Sequence, residues 1–278
     1  MPPEVFGLVL VAALMHAAWN AIVKASGDKT LTAVMVAAAA AIISLPVMPF
    51  LAVPARESWP FLALSVTLQV AYYFLVARAY TVADMSQTYP VMRGTAPLIV
   101  TLVGMVLLGE HLGGIALSGI LVIAGGILSM ALWSGGSTNR AGLRYALMNA
   151  FVIAGYTLSD GYGARLSGAP VAYTMWEFVL TAAPMLAWAL LRRRSSFLRQ
   201  VREGWHWGLL AGFGTLVSYA VALWAMTLAP VAVVAALRET SILFGTAIAA
   251  LVLRERIGPQ RLVAACMIAV GAGLLRLA

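Results

Sequence analysis

Apolar runs about 20 residues long recur from one end of this chain to the other, separated only by short polar breaks. At 1.5 Å of rise per residue, that is the length of helix that crosses the ~30 Å hydrocarbon core of a bilayer. Marked off at charges, Gly and Pro, the runs number ten. They cover approximately Val5–Val23, Leu31–Val53, Trp59–Val82, Tyr89–Leu108, Leu112–Trp133, Leu143–Gly161, Val171–Leu191, Trp205–Leu228, Val231–Leu253 and Gln260–Leu277. The longest gap, Arg192 to Gly204, is also the most basic, and no gap has room for a second, soluble module.

Composition agrees with this pattern. Of the 278 residues 62% are hydrophobic and 10% charged, against roughly a quarter charged in a soluble domain. Mean hydropathy is +0.93, so lipid must be the solvent for most side chains. The net charge of +8 comes from arginines scattered at run ends rather than interleaved with aromatic platforms, which argues against a nucleic-acid partner. The single cysteine, Cys266, excludes an intramolecular disulfide and a cysteine-based metal site. Met1 to Glu4 lacks the basic start of a cleaved signal peptide, so the first run is expected to be a retained helix.

Lysine and arginine concentrate in cytoplasmic loops. With ten spans, one set of loops collects Lys24, Lys29, Arg78, Arg140, Arg144, Arg192, Arg193, Arg194, Arg199, Arg202, Arg254, Arg256 and Arg261 out of 18 basic residues. The other holds Arg56, Arg165 and Arg276. Both termini are therefore expected outside the cytoplasm.

Sliding the chain on itself reveals a repeat. Arg93-Gly94-Thr95 matches Arg238-Glu239-Thr240, and Leu107-Leu108-Gly109-Glu110 matches Val252-Leu253-Arg254-Glu255 at the same offset of 145 residues. Five spans per half is an odd number, so the halves, 1–138 and 139–278, must cross the bilayer in opposite senses. The fold class expected is an all-α integral membrane protein with ten transmembrane helices as two inverted five-helix repeats.

At these residues the chain resembles the EamA-type branch of the drug/metabolite transporter superfamily. The resemblance is carried by Trp19-Asn20 through Lys24, by Ser86 to Pro97 leading to Leu107–Glu110, and by Ala229-Pro230 through Arg238 to Glu255. It implies two inverted halves around a central cavity lined by helices 1, 3, 4, 6, 8 and 9. The family includes exporters of amino acids and other small metabolites. The halves are not equivalent, since Glu239 stands opposite Gly94 and Arg254 opposite Gly109.

A charge inside the membrane is costly and needs a partner or a purpose. Arg93 and Arg238 fall about one turn inside helices 4 and 9, which places them near opposite faces. A guanidinium holds a carboxylate with two parallel hydrogen bonds, so either could receive an acidic group of a substrate; the alternative is snorkelling to a structural acid partner. Asp160, Glu177 and Glu239 are expected near Arg238 on the outer side, and Asp84 near Arg93 or Lys24 on the inner side. These groups are candidates for gating pairs or for carrying a coupling proton. His16, Trp19 and Asn20 on helix 1, Gln69, Tyr72 and Tyr73 on helix 3, Asn149 and Tyr156 on helix 6, and Ser218 and Trp224 on helix 8 would line a cavity of amides, hydroxyls and rings. Such a lining suits an amphipathic small molecule. Pro90, Pro97 and Pro230, near the starts of helices 4 and 9, are expected hinges. Ala265, Ala269 and Gly273 repeat at four-residue spacing, which fits either an internal contact or a homodimer through the last helices.

No nucleotide loop, metal motif or serine-hydrolase motif is present, and no cofactor is expected. The chain reads as a secondary transporter of amino acids or related zwitterions. The alternatives are export of hydrophobic cations or drugs, and a membrane-embedded enzyme acting on lipid-linked substrates through His16, Asp160 and Glu177. A channel would show rings of like charge or a repeated filter loop.

Overall fold

A computed structural model describes residues 1–83, 85–133, 140–251 and 258–278. Over these the chain forms eleven α-helices and two single 3₁₀ turns, with no β-strand. They are α1 (Pro3–Ala25), α2 (Lys29–Ser44), α3 (Trp59–Val82), α4 (Met85–Leu107), α5 (Gly114–Leu132), α6 (Arg140–Ser167), α7 (Pro170–Arg192), α8 (Arg194–Leu228), α9 (Val231–Arg238), α10 (Ser241–Leu251) and α11 (Pro259–Leu277). Among the described residues eight helices are long and apolar enough to cross a membrane, with α9 and α10 together making one of them. Outward-facing residues such as Val11, Leu102, Val106, Phe151 and Val270 are more than half exposed. That apolar belt is far larger than a soluble monomer tolerates, and lipid covers it without cost.

Several boundaries depart from the sequence pattern. The second run stops at Ser44, because Pro46 and Pro49 cannot donate backbone hydrogen bonds, and a 3₁₀ turn at Met48–Phe50 follows instead. The basic stretch expected as a loop before helix 8 is helical from Arg194 onward, joined to the apolar part of α8 through a kink at non-helical Gly204. Its Arg, Gln and Glu residues are good helix formers, and the hydrophobicity that marks spans is blind to them. The ninth run is broken: α9 ends at Arg238, and Glu239 and Thr240 form a tight turn before α10. Polar Glu, Thr and Ser in succession, with Thr240 Oγ1 donating to Leu237 O at 2.7 Å, replace regular helix there.

The helices pair across the two halves of the chain. α1 lies against α8 and α3 against α6, while α5 packs on α11 and α2 on α7. The α5–α11 seam is close. A Cβ on Gly271 would stand 2.7 Å from Gly119 O, and one on Gly126 would stand 2.7 Å from Met267 Cβ. Only glycine lets these backbones meet. Gly119, Gly126, Ala264 and Gly271 make this internal contact, so it is not the stripe of Ala265, Ala269 and Gly273: Ala269 and Gly273 are exposed, and Gly273 has nothing within 4 Å of where its Cβ would be.

Candidate functional site

Two proline positions shape the approach to the core. Pro97 lies in the middle of α4 rather than near its start. It cannot donate to the carbonyl four residues earlier, which belongs to Arg93, so the helix is weakened where its charge sits. Pro90 is also inside α4, whereas Pro230 is the N-cap of α9 as expected for a helix start.

Arg93 reaches across to the break between α9 and α10. Its Nε donates to Glu239 Oε2 at 3.0 Å and its Nη2 lies 2.9 Å from Glu239 Oε1, a two-pronged ion pair with both side chains largely buried. This differs from the expectation that Glu239 would serve Arg238 and that Arg93 would sit near the opposite face. Arg93 is nine residues into α4, not one turn, and its partner adjoins Arg238 in sequence, so both arginines share one level of the core. Asp84, the other expected partner, lies outside the described residues, as do Arg254 and Glu255 of the second repeat motif. Lys24 is in the last turn of α1, exposed.

Arg238 is held differently. Its guanidinium stacks over the Tyr219 ring, 4.8 Å from the centroid, and among the described residues no carboxylate bonds it. Tyr219 in turn donates its hydroxyl to Asp160 Oδ2 at 2.6 Å, and Tyr173 donates to Asp160 Oδ1 at 3.2 Å. Asp160 on α6 is fully buried, and Glu177 on α7 is 2% exposed. Glu177 Oε2 and Thr181 Oγ1 are buried with no hydrogen-bond partner among the described residues, and the Ser65 hydroxyl adjoins Asp160. Glu177 interacts electrostatically with Asp160 and Arg238.

Around this charged level stand aromatic groups. His16 and Trp19 of α1 meet edge to face at 5.2 Å, and Tyr72 meets Tyr73 at 5.4 Å and Tyr156 at 6.2 Å. All five are half-buried. His16 and Tyr156 both lie within the field of Arg93 and Arg238. The Trp19 indole nitrogen is buried without a partner among the described residues. Gln69 is half-buried on α3, one turn before Tyr73.

Other expected lining residues make contacts within the bundle. Ser218 donates to Ala12 O at 2.7 Å, tying α8 to α1, and Asn149 is fully buried with its amide donating to Met92 Sδ at 3.1 Å. The Asn20 amide turns back to His16 O at 2.8 Å, and Trp224 packs on the main hydrophobic core.

A second polar node was not legible as one. α4 ends at Leu107, and beyond it Gly109 has a φ of +64°, open to glycine and strained for other residues, so the turn folds Glu110 back over Gly104. Glu110 Oε1 accepts from Val231 N at 2.6 Å and lies 3.1 Å from Arg165 Nη2, and Oε2 accepts from Ala232 N at 3.3 Å. A carboxylate thus caps the N-terminus of α9, where the helix dipole favours it. Arg165 also donates to Met226 O at 2.7 Å and Ala229 O at 2.9 Å, satisfying the end of α8. Glu110 carried the repeat motif and Arg165 entered only the loop charge count, so the sequence offered the motif but not the pairing.

A charged core walled by rings thus lies inside a lipid-facing bundle. The model of the EamA-like transporter family matches residues 140–277, the second half of the chain. This chain belongs to the EamA-like transporter family. It is an integral membrane transporter and not an enzyme. No curated protein matches it. A solved structure titled only "Crystal structure of protein" superposes with a TM-score of 0.73 at 18% identity, over 99% of this chain and 96% of its own, which is a likeness of fold.

Proposed function

We propose that the protein is a secondary transporter moving amino acids or related zwitterions out across a bacterial inner membrane by alternating access, with Arg238 receiving the substrate carboxylate. The observation that carries this reading is the contrast between the two arginines. Arg93 is closed by Glu239, while Arg238 stacks over a ring and makes no ion pair among the described residues. The repeat explains the contrast. The counterpart of Glu239 in the first half is Gly94, so the chain supplies two matched arginines and one matched acid. A guanidinium left over in the core is suited to bind a carboxylate. His16, Trp19, Tyr72, Tyr73 and Tyr156 offer rings for an apolar side chain.

Ten spans in two inverted halves, 1–138 and 139–278, fit the helix pairings. Exchanging first-half for second-half elements turns the α1–α8 contact into α3–α6 and returns α5–α11 and α2–α7 to themselves. The broken α9–α10 span and Pro97 of α4 are then matched points of bending. The Glu110–Arg165 node sits at the end of the bundle that holds both termini and would be one closed gate, on the periplasmic side if the basic loops are cytoplasmic. The exposed Ala269 and Gly273 leave room for a homodimer through α11.

Counterflow of labelled amino acids in proteoliposomes tests the reading. Arg238→Gln is expected to weaken half-saturation about tenfold or more, the worth of a charge-assisted hydrogen bond. Exchange unchanged by that substitution would remove Arg238 from the site. The buried Asp160 and Glu177 favour a second reading, export of hydrophobic cations. In that case such cations exchange, amino acids do not, and the arginines are dispensable.

A further inference from the structure

α8 is longer than a membrane span. At 1.5 Å per residue its 35 residues reach about 52 Å, against ~30 Å of hydrocarbon. The excess is the polar stretch 194–203 ahead of the kink at Gly204. Exposed Trp205 and Trp207 follow the kink, and tryptophans so placed mark the headgroup level of a bilayer. The polar stretch is fixed to the bundle rather than trailing from it. Phe197 and Val201 pack with Leu31 and Met35 of α2, and the Gln200 amide donates to Thr32 Oγ1 at 2.6 Å. Arg199 and Arg202, about one turn apart, are exposed on the other side.

The turn before this stretch adds more guanidinium groups. α7 ends at Arg192 and α8 begins at Arg194, joined by the single non-helical residue Arg193. A surface pocket of about 510 Å³ opens there, lined by Arg192, Arg193 and Arg194 together with Leu191 and Leu198. Arg193 is neutralised by Asp28, 2.9 Å away. Arg192, Arg194, Arg199 and Arg202 make no ion pair among the described residues, and Glu203 is the one acid in the stretch. The counter-charge for this cluster must therefore come from outside the protein, and the anions found at headgroup level are lipid phosphates. The pocket is also apolar in part, with Leu191 83% exposed and Leu198 50% exposed. A free phosphate has nothing to place against them, whereas a phospholipid brings its glycerol and upper acyl carbons.

We propose that the α7–α8 turn and the polar start of α8 form a binding site for an anionic phospholipid. Arg192 and Arg194 hold its phosphate in the pocket, Leu191 and Leu198 lie against its glycerol and upper acyl chain, and Arg199 and Arg202 extend the positive face along α8. The occupant belongs to the surrounding leaflet and is distinct from the transported solute, so the site stands whichever solute the core carries.

Native mass spectrometry of the full chain in nonionic detergent, titrated with phosphatidylglycerol or with phosphatidylcholine of the same acyl chains, tests this. Phosphatidylglycerol should be retained and phosphatidylcholine held at least about tenfold more weakly. Arg192→Gln combined with Arg194→Gln should weaken phosphatidylglycerol retention at least about tenfold. Arg140→Gln combined with Arg144→Gln, an equal loss of charge at the exposed start of α6, should leave it unchanged. All four side chains are exposed, so thermal unfolding without added lipid should be the same in both double variants. Leu191→Ser combined with Leu198→Ser keeps every arginine and should also weaken retention, which serves if the arginine variant is unstable. Equal loss in the two arginine pairs would show a diffuse attraction and overturn the site, as would phosphatidylcholine held as well as phosphatidylglycerol. Full displacement of the lipid by inorganic phosphate, with no effect of the leucine substitutions, would make a free anion the occupant and overturn the lipid assignment.

Discussion

Single residues set the energetics of the core because so few of them are charged. Arg93 and Glu239 form a largely buried pair, and breaking such a pair leaves an uncompensated charge at a cost of about 3–5 kcal/mol. Glu239→Ala should lower thermal stability in detergent by that order, and Arg93→Ala combined with Glu239→Ala should recover much of the loss. Strict additivity in that double-mutant cycle would show that the two side chains do not act as a pair. Glu110→Ala should also destabilise, by roughly 1–2 kcal/mol for the lost cap alone, and it should increase labelling of a cysteine placed at Val231 if the node closes that end of the path. The sequence made the membrane charges stand out one by one, but partners 146 residues apart, such as Arg93 and Glu239, require knowledge of which helices touch. Tyr219 and Tyr173, which fill the hydrogen-bonding of Asp160, looked like ordinary residues of apolar runs.

At the scale of elements, hydrophobic periodicity located the helices and failed where other chemistry ends or extends them. Proline shortened α2, and good helix formers extended α8 into its basic segment. The break at Glu239–Thr240 falls on four successive polar residues, Arg238 to Ser241, but the apolar stretches on either side add up to the length of one span, so the run from Val231 reads as a single helix. The small residues of α11 show why spacing alone was ambiguous. One stripe faces α5, and the neighbouring stripe, one residue on, faces outward. Gly271→Leu should therefore disrupt the α5–α11 seam, where its Cβ would lie 2.5 Å from Ile123 Cγ1, and cost at least the ~1–3 kcal/mol of an overpacked core. Gly273→Leu should leave the monomer's stability within about 0.5 kcal/mol of the unmodified protein. If Gly273→Leu instead lowers the oligomeric mass in detergent, the outward stripe is a dimer contact.

The whole molecule is a lipid-facing bundle with helices of one half packed on helices of the other, and the proposed orientation, basic loops in the cytoplasm, rests on where the basic residues collect. Ser195 in the exposed start of α8 should label from the cytoplasmic side when changed to Cys in a Cys266→Ser background. On the other side Glu57 is a better reporter than its neighbour Ser58, which is fully buried with its hydroxyl bonded to Ala55 O at 2.7 Å. Labelling of Ser195→Cys from the periplasm would invert the topology. The central claim concerns the solute: the core offers a guanidinium for a carboxylate, an acid for an ammonium and rings for an apolar side chain. The most direct measurement compares counterflow of one apolar amino acid with its decarboxylated amine and its deaminated acid in the unmodified protein. The account predicts that the amino acid exchanges best and that losing either charged group weakens it at least about tenfold. Preference for the amine over the amino acid would contradict it, and would make Asp160 and Glu177 the heart of a cation exporter.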